Sequence, residues 1–318
     1  MNRYIGIDIG GTKISVVKGD ENGNIAEKIK FDTPENKDEA VEKIFDSALR
    51  LGECSAVGIS CGGPLDSKKG KILSPPNLPG WDEVPIVHIA ENVLKVPAFL
   101  RNDADACALA EWRWGAGKGC RNMIFLTFGT GMGAGLILNG ALYEGSCGMA
   151  GEVGHIALEK DGPTGYGKAG SFEGFCSGGG IRQSAVRKAV EMHEKGIAPS
   201  FAPTKEDILR ISAKTVAECA NEGHKDAIEI YEECGTMLGR GLSVLIDILN
   251  PERIVIGSIF TRSKALLEIA MKRAIEKEAL TASASICQIV PSAFGESLGD
   301  IAALSVAADG LCLKESSK

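Results

Sequence analysis

A chain of 318 residues, 44% hydrophobic and 24% charged, has room for about two domains and the composition of a packed globular protein. A disordered chain, a collagen-like chain and a small disulfide-stapled domain are thereby excluded. The 35 basic and 42 acidic side chains leave a net charge of −7, which argues against nucleic acid or an anionic membrane as partner, since both attract basic surfaces.

The ten Cys and four His include no CxxC pair, so zinc-ribbon and thioredoxin signals are missing. No apolar run reaches the ~18 residues of a membrane span, and no secretory h-region follows Met1. The expectation is a cytoplasmic protein whose reduced cysteines serve as small buried hydrophobes.

In chain order, the first 30 residues read as a β-meander. Strands at residues 4–7 and 14–17 flank the turn Gly10-Gly11-Thr12-Lys13, and Asp20-Glu21-Asn22-Gly23-Asn24 turns the chain into a third strand through Phe31. Residues 35–51 carry Ala40, Val41, Ile44, Phe45, Ala48 and Leu49 at helical spacing. A buried strand at 57–60 ends in Gly62-Gly63-Pro64, Pro-rich irregular chain spans 74–85, and a strand at 96–100 leads through Asn102-Asp103 into a small-residue helix ending near Gly115.

The opening pattern then recurs. A strand at 123–127, the turn Gly129-Thr130-Gly131-Met132-Gly133, a strand at 134–138 and Asn139-Gly140 repeat the order of residues 4–24. Self-similarity at a separation of roughly 120 residues points to two related lobes rather than a solenoid, whose period is about 20–50. Helices are predicted over 177–195, 204–220 (opened by Thr204 with Asp207 three residues on), 227–249, 266–277 and 297–308, and strands over 253–256 and 286–290. The class is α/β. The expected boundary follows Gly115, Gly117 and Gly119, giving an N-terminal lobe of residues 1–118 and a larger lobe of 119–296.

Four segments could carry chemistry. Gly10 and Gly11 let backbone N–H groups approach an anion, Thr12 adds a hydroxyl, and Asp8 at the strand end suits Mg²⁺; a tight hairpin with an Asp cap uses the same residues. The Gly/Thr turn at 129–133 repeats that composition, and two such turns can grip one polyphosphate. Asn102-Asp103 opens a helix, where either residue is a good N-cap, and a carboxylate there can also accept a proton from a substrate hydroxyl. Glu152 and His155, three apart in a Gly-rich stretch, could bind neighbouring sugar hydroxyls or be satisfied structurally. Glu173 and Asn77 are further polar groups on irregular chain.

Together these residues resemble the ROK family of sugar kinases and repressors, in its glucokinase-like branch. The resemblance runs through residues 8–13, 58–64, 76–78 with Trp81, 102–104 with 108–111, 129–131, 151–155, 249–251 with 254–257, and 298–300. It implies a two-lobed actin-like ATPase fold, each lobe ribonuclease H-like, with ATP, Mg²⁺ and a hexose in an interlobe cleft. By resemblance, Asp103 deprotonates the sugar 6-hydroxyl, while Gly63, Asn77, Asn102, Glu152, His155 and Glu173 hold the other hydroxyls. Asp8, Gly10, Gly11, Thr12, Lys13, Thr130 and Gly131 would meet phosphates or metal, with Asp8 holding Mg²⁺ and Gly257 near the nucleotide. The helix over about 297–312 would return to the first lobe, and the protein would be a dimer or higher oligomer.

Two departures follow. The family's CxCGxxGC zinc motif, which precedes the position of Glu173, is replaced here by Thr164, Tyr166 and Ser171 at the three cysteine sites. Hydroxyls are poor zinc ligands, so no structural zinc is expected, and loop 162–173 would be held by packing and hydrogen bonds, with Tyr166 a candidate. The phosphate turn also begins at residue 8, leaving no room ahead of it for the repressors' helix-turn-helix. The expected activity is an ATP-dependent hexose kinase, with an N-acetylhexosamine kinase, a non-catalytic sugar sensor and a protein-directed actin-like ATPase as alternatives.

Overall fold

The computed structural model describes residues 3–316. Strands β1 (Arg3–Ile9), β2 (Lys13–Asp20) and β3 (Ile25–Asp32) form the expected meander. The turn after β2 is built by Asp20, whose carboxylate accepts from the N–H groups of Asn22 and Asn24 at 2.9 and 3.0 Å. Asn36 caps α1 (Lys37–Leu51), whose apolar stripe of Ala40, Ile44, Phe45, Ala48 and Leu51 is buried.

Next come β4 (Ala56–Cys61), the short pair β5 (Leu65–Asp66) and β6 (Lys71–Ile72), α2 (Ile86–Leu94), β7 (Ala98–Asn102) and α3 (Asp103–Trp114). They are followed by β8 (Met123–Leu126), β9 (Ala134–Leu138), β10 (Ala141–Leu142), a 3-10 turn at Val153–His155, β11 (Thr164–Gly165), β12 (Lys168–Ala169), α4 (Phe172–Phe175) and α5 (Gly178–Glu194). The remainder is α6 (Ala213–Asn221), α7 (Lys225–Leu249), β13 (Arg253–Ile256), α8 (Ile259–Glu278), α9 (Thr281–Ala284), β14 (Gln288–Pro291) and α10 (Leu298–Ser316).

Several helices differ from the sequence reading: the short α4 and α9 have no counterpart in it, and α10 runs on to Ser316, past the expected 308. Thr204 and Asp207 do bond side chain to backbone, with Thr204 N–H reaching Asp207 at 3.0 Å, but only a 3-10 turn at Glu206–Arg210 follows. The helix itself starts at Ala213 behind a reciprocal capping box of Ser212 and Thr215. Helix α8 starts seven residues before the expected 266, its first turns bent at Ser263, where φ is −120°. Helix α2 was not anticipated, because Pro85 and a nine-residue length give little periodicity to read.

The chain divides into two compact units. One holds the described residues through Arg121, then Gly135–Ala150 and everything from Ala293; the other holds Asn122–Ala134 and Gly151–Ser292. In the first, the sheet order is β3-β2-β1-β4-β7, antiparallel over the meander and parallel from β1 to β7.

Residue alternation along β1 sorts its side chains by face. Ile5, Ile7 and Ile9 join the core with α1 and α2, whereas Tyr4 packs with Leu304, Ala307 and Ala308 of α10. Gly6 and Gly58 make that second face shallow: a Cβ on Gly6 would lie 2.8 Å from Leu304 N, and one on Gly58 only 2.1 Å from Ala303 O. In the second unit, β8, β13 and β14 run parallel in register, with Leu126, Ile256 and Pro291 aligned.

Candidate active site

In the first unit, parallel register brings the site residues together. Ile9 pairs with Cys61 and Cys61 with Asn102, so the C-terminal ends of β1, β4 and β7 present Asp8 and Gly10, Gly63, and Asn102 with Asp103 along one edge. That edge is where open α/β sheets take ligands. The turn at 10–13 is closed by Gly10 N–H donating to Lys13 O at 3.1 Å, and is tied to β3 by Thr33, whose N–H donates to Thr12 O at 3.0 Å. Gly11, Thr12 and Lys13 are exposed. A Cβ on Gly11 would lie 2.4 Å from Asn77 O, so the Pro-rich loop rests directly on this turn while Asn77 itself stays exposed.

Asp8 sits beside the start of α10, where a Cβ on Gly299 would be 2.6 Å from its Oδ2. Its pKa is pushed from 3.8 to about 6, first by burial, then by the negative charges of Asp300 and Asp103; Lys30 and Lys28 act in the opposite direction. Asp300 is buried and paired with Lys28. The edge therefore gathers carboxylates whose repulsion the two lysines only partly offset, and a divalent cation would relieve the remainder. Mg²⁺ commonly takes one or two protein carboxylates and completes its shell with phosphate and water, and Asp8 fits that donor set.

Asn102 is the N-cap of α3: its Oδ1 accepts from Ala104 N–H at 2.9 Å. Asp103 Oδ1 accepts from the same N–H at 2.8 Å, so the cap does not depend on the Asp103 carboxylate. Asn102 Nδ2 lies 3.3 Å from the position of a Cβ on Gly63. Solvent reaches the Asp103 side chain, yet the protein around the carboxylate disfavours its charge and raises its pKa, opposed by the Ala104 N–H. With water in contact, that rise implies no large stability cost. A cavity of about 370 Å³ beside Asn102 is lined by Leu65, Ser67, Asp105, Glu144 and Cys147. Ser67 donates to Glu144 there at 2.7 Å.

In the second unit, the turn at 129–133 is spliced between two helix starts. Gly178 N–H, opening α5, donates to Gly129 O at 2.8 Å, and Ile259 N–H, opening α8, donates to Phe128 O at 2.8 Å. Helix α5 runs 17 residues from this turn, whereas α8 makes only a short first stretch before its bend at Ser263. Thr127 Oγ1 accepts from Gly133 N–H at 2.8 Å and closes the hairpin. Thr130 is exposed. Gly257 ends β13 with its N–H on Leu126 O at 3.0 Å, and Ser258 follows at φ +53°.

Glu152 stands just ahead of the 3-10 turn, its C=O accepting from His155 N–H at 3.2 Å, and both residues are exposed. Glu173 on α4 is half-buried, with Oε2 accepting from Met132 N–H at 2.9 Å.

The sequence matches the ROK family over residues 4–309. The chain belongs to the ROK family. It is 33% identical to a glucokinase of Streptomyces coelicolor over 262 residues, covering 81% of this chain and 82% of the relative. It is 29% identical to the glucokinase of Thermotoga maritima over 310 residues, covering 96% of each. The crystal structure of a ROK family glucokinase from Streptomyces griseus, in complex with glucose and AMPPNP, superposes with a TM-score of 0.76 at 29% identity, covering 96% of this chain and 99% of that one. With these ROK kinases the chain shares the two-lobed actin-like ATPase fold.

Within that family, the loop at the zinc-motif position has its own construction here. Ser171 is fully buried and caps α4, its Oγ accepting from Gly174 N–H at 3.0 Å. Thr164 is bracketed by Gln183 of α5, whose Oε1 accepts from Thr164 N–H at 2.9 Å and whose Nε2 donates to Thr164 O at 2.8 Å. Lys168 Nζ donates to His155 O at 2.7 Å, and Gly170 O accepts from Leu158 and Glu159. Tyr166, 81% exposed, contributes only an edge-on ring contact with His155 at 6.4 Å.

Among the described residues, no group of three or more His, Cys, Asp or Glu is placed to hold a metal. Among the described residues no cysteine is in a disulfide, and four (Cys61, Cys120, Cys176 and Cys234) are buried as expected. Cys147 and Cys312 are exposed, contrary to that expectation. Among the described residues, no helix is long and apolar enough to cross a membrane.

Sequence reasoning missed three contributors to the site. Asp300 belonged to a recognised motif, Leu298-Gly299-Asp300, but its effect on Asp8 depends on α10 returning to β1. Lys28 carried no signal on an alternating edge strand. Met132 was read only as a turn residue, since a backbone N–H has no sequence signature.

Proposed function

We propose that this chain is an ATP-dependent hexose kinase that transfers the γ-phosphoryl group of ATP to a sugar hydroxyl, the 6-hydroxyl of glucose or a related hexose. The observation that carries this reading is the pairing of Asp8 and Asp103 on one strand edge, with the helix cap at that edge supplied by Asn102. Phosphoryl transfer asks the protein for a base, positioning and charge neutralisation rather than a nucleophile.

Asp103 takes the hydroxyl proton as the sugar oxygen bonds to phosphorus and the bond to the departing ADP breaks. Its raised pKa brings the carboxylate closer to the working pH, where a base is most effective. Gly63, Asn77, Asn102, Glu152, His155 and Glu173 orient the sugar. Thr130 and Gly131 meet the polyphosphate, and Gly257 lies near the nucleotide. Gly10, Gly11, Thr12 and Lys13 offer the matching turn in the first unit. Asp8 would hold Mg²⁺, which neutralises charge on the phosphate oxygens when bound. We take the two compact units as the two lobes of the fold. The reading includes a cytoplasmic setting and a homo-oligomer of two or more copies.

The test is ADP release by the purified protein with ATP and Mg²⁺, with and without each of a panel of hexoses and N-acetylhexosamines. The expected result is ADP production that requires sugar and yields the sugar 6-phosphate. Sugar binding without ADP release would instead make the protein a sensor, and ADP release indifferent to sugar would point to a different ATPase.

A further inference from the structure

Glu173 has two oxygens with different surroundings. Oε2 accepts from Met132 N–H in the middle of the 129–133 turn, while Oε1 has no protein donor among the described residues. Three glycines hold the side chain in this position. A Cβ on Gly131 would lie 2.8 Å from Oε2, one on Gly165 would lie 2.7 Å from the Glu173 Cβ, and one on Gly154 would lie 3.2 Å from that Cβ and 2.3 Å from Met132 O. The carboxylate therefore sits between the loop at 162–173 and the Gly/Thr turn, without room for a side chain on either flank.

We infer that Glu173 is a positioning residue that couples the two substrates: Oε1 receives a sugar hydroxyl while Oε2 fixes the Met132 amide and, with it, the phosphate turn. The inference rests on the kinase reading and extends it. A sugar hydroxyl donating to Oε1 restricts the carboxylate, and a restricted carboxylate holds the turn in one conformation. Nucleotide arriving second then meets a turn already ordered, which is positive coupling without a new contact between the substrates. Linkage requires the effect to be reciprocal: AMPPNP must tighten glucose by the same factor.

Calorimetric titration of AMPPNP in the presence and absence of saturating glucose measures the coupling. In the wild-type protein, glucose is expected to tighten AMPPNP about tenfold, within the range common for coupled sites. In Glu173→Ala the factor should fall below about twofold, and in Glu173→Gln, whose amide oxygen can still accept from Met132, it should be partly restored. Amide hydrogen exchange at Met132 supplies a readout independent of sugar. It should accelerate in ligand-free Glu173→Ala and stay near wild type in Glu173→Gln.

A Glu173→Ala protein with weakened glucose binding, but unchanged Met132 exchange and undiminished coupling, would overturn the inference and leave Glu173 as a sugar ligand only. A wild-type protein that binds no hexose in the panel would overturn the kinase reading, and the coupling with it.

Discussion

The two Gly-rich turns share a pattern and differ in charge. The first follows Asp8, which looks toward α10 and sits near Asp103 and Asp300, so its pKa rises to about 6. The second follows Thr127, a neutral residue whose hydroxyl closes its own hairpin on Gly133 N–H at 2.8 Å. Around the second turn, the opening N–H groups of α5 and α8 donate to Gly129 O and Phe128 O. One turn is thus bordered by carboxylates, the other by helix starts whose first N–H groups are taken up by neighbouring carbonyls. A repeated sequence pattern fixes the hairpin; the residue at the strand end and the helices that arrive later decide its chemistry.

Three substitutions test that division, in order of expected effect. Asp103→Asn keeps the side-chain shape and can still accept from Ala104 N–H, but it removes the base. Its kcat should drop roughly 100- to 10,000-fold, the usual contribution of a positioned general base, with the glucose Kd from calorimetry unchanged. A kcat near wild type would remove Asp103 from the mechanism.

Asp8→Asn should lower kcat/KM roughly 100- to 1,000-fold, a typical loss for one strong electrostatic group, and should also reveal a pH dependence. A carboxyl whose pKa is raised on folding destabilises the folded state once it ionises. Below about pH 3.8 both states are neutral and the variant should match wild type; between 3.8 and about 6 the wild type should lose stability. Above pH 6, without Mg²⁺, Asp8→Asn should be the more stable by on the order of 1–3 kcal/mol. Denaturant melts at pH 4 and pH 8 read this directly. An equal gap at both values would show that the Asp8 charge is not the source.

Thr127→Val probes the neutral turn. Losing the hydroxyl leaves Gly133 N–H without its side-chain acceptor, a change worth about 1 kcal/mol. The KM for ATP should rise about five- to tenfold in steady-state kinetics, with kcat little altered. A kcat loss comparable to that of Asp8→Asn would contradict the assignment of different tasks to the two turns.

The fold was legible wherever periodicity was long or turn chemistry strong. The meander, α1, α3 and α7 all lie close to their expected spans, since Asn22-Gly23, the helical spacing from Ala40, Asn102 and Asn250-Pro251 are each local causes, although Leu49, expected on the stripe of α1, is exposed and Leu51 is buried in its place. Helix α6 was misplaced because Thr204–Asp207 and Ser212–Thr215 are both good caps, and sequence alone does not rank them. The candidate residues could be named from motifs. Their environment could not: the charge around Asp8 comes from Asp103 and Asp300, 95 and 292 residues further along. The bond from Met132 to Glu173 spans 41 residues, and the Gln183 bracket on Thr164 spans 19. Such links depend on long-range packing, which motif spacing does not encode.

Helix α10 leaves its mark on how the molecule is made. Gly6 and Gly58 hold open the bed on which it lies, so strands made earlier in synthesis lack a cover on that face until residues 298–316 have emerged. Throughout elongation that apolar sheet face must be shielded by other means or remain liable to aggregate. A chain cut short before residue 298 would leave one face of that sheet bare, even though every strand of it had already been synthesised.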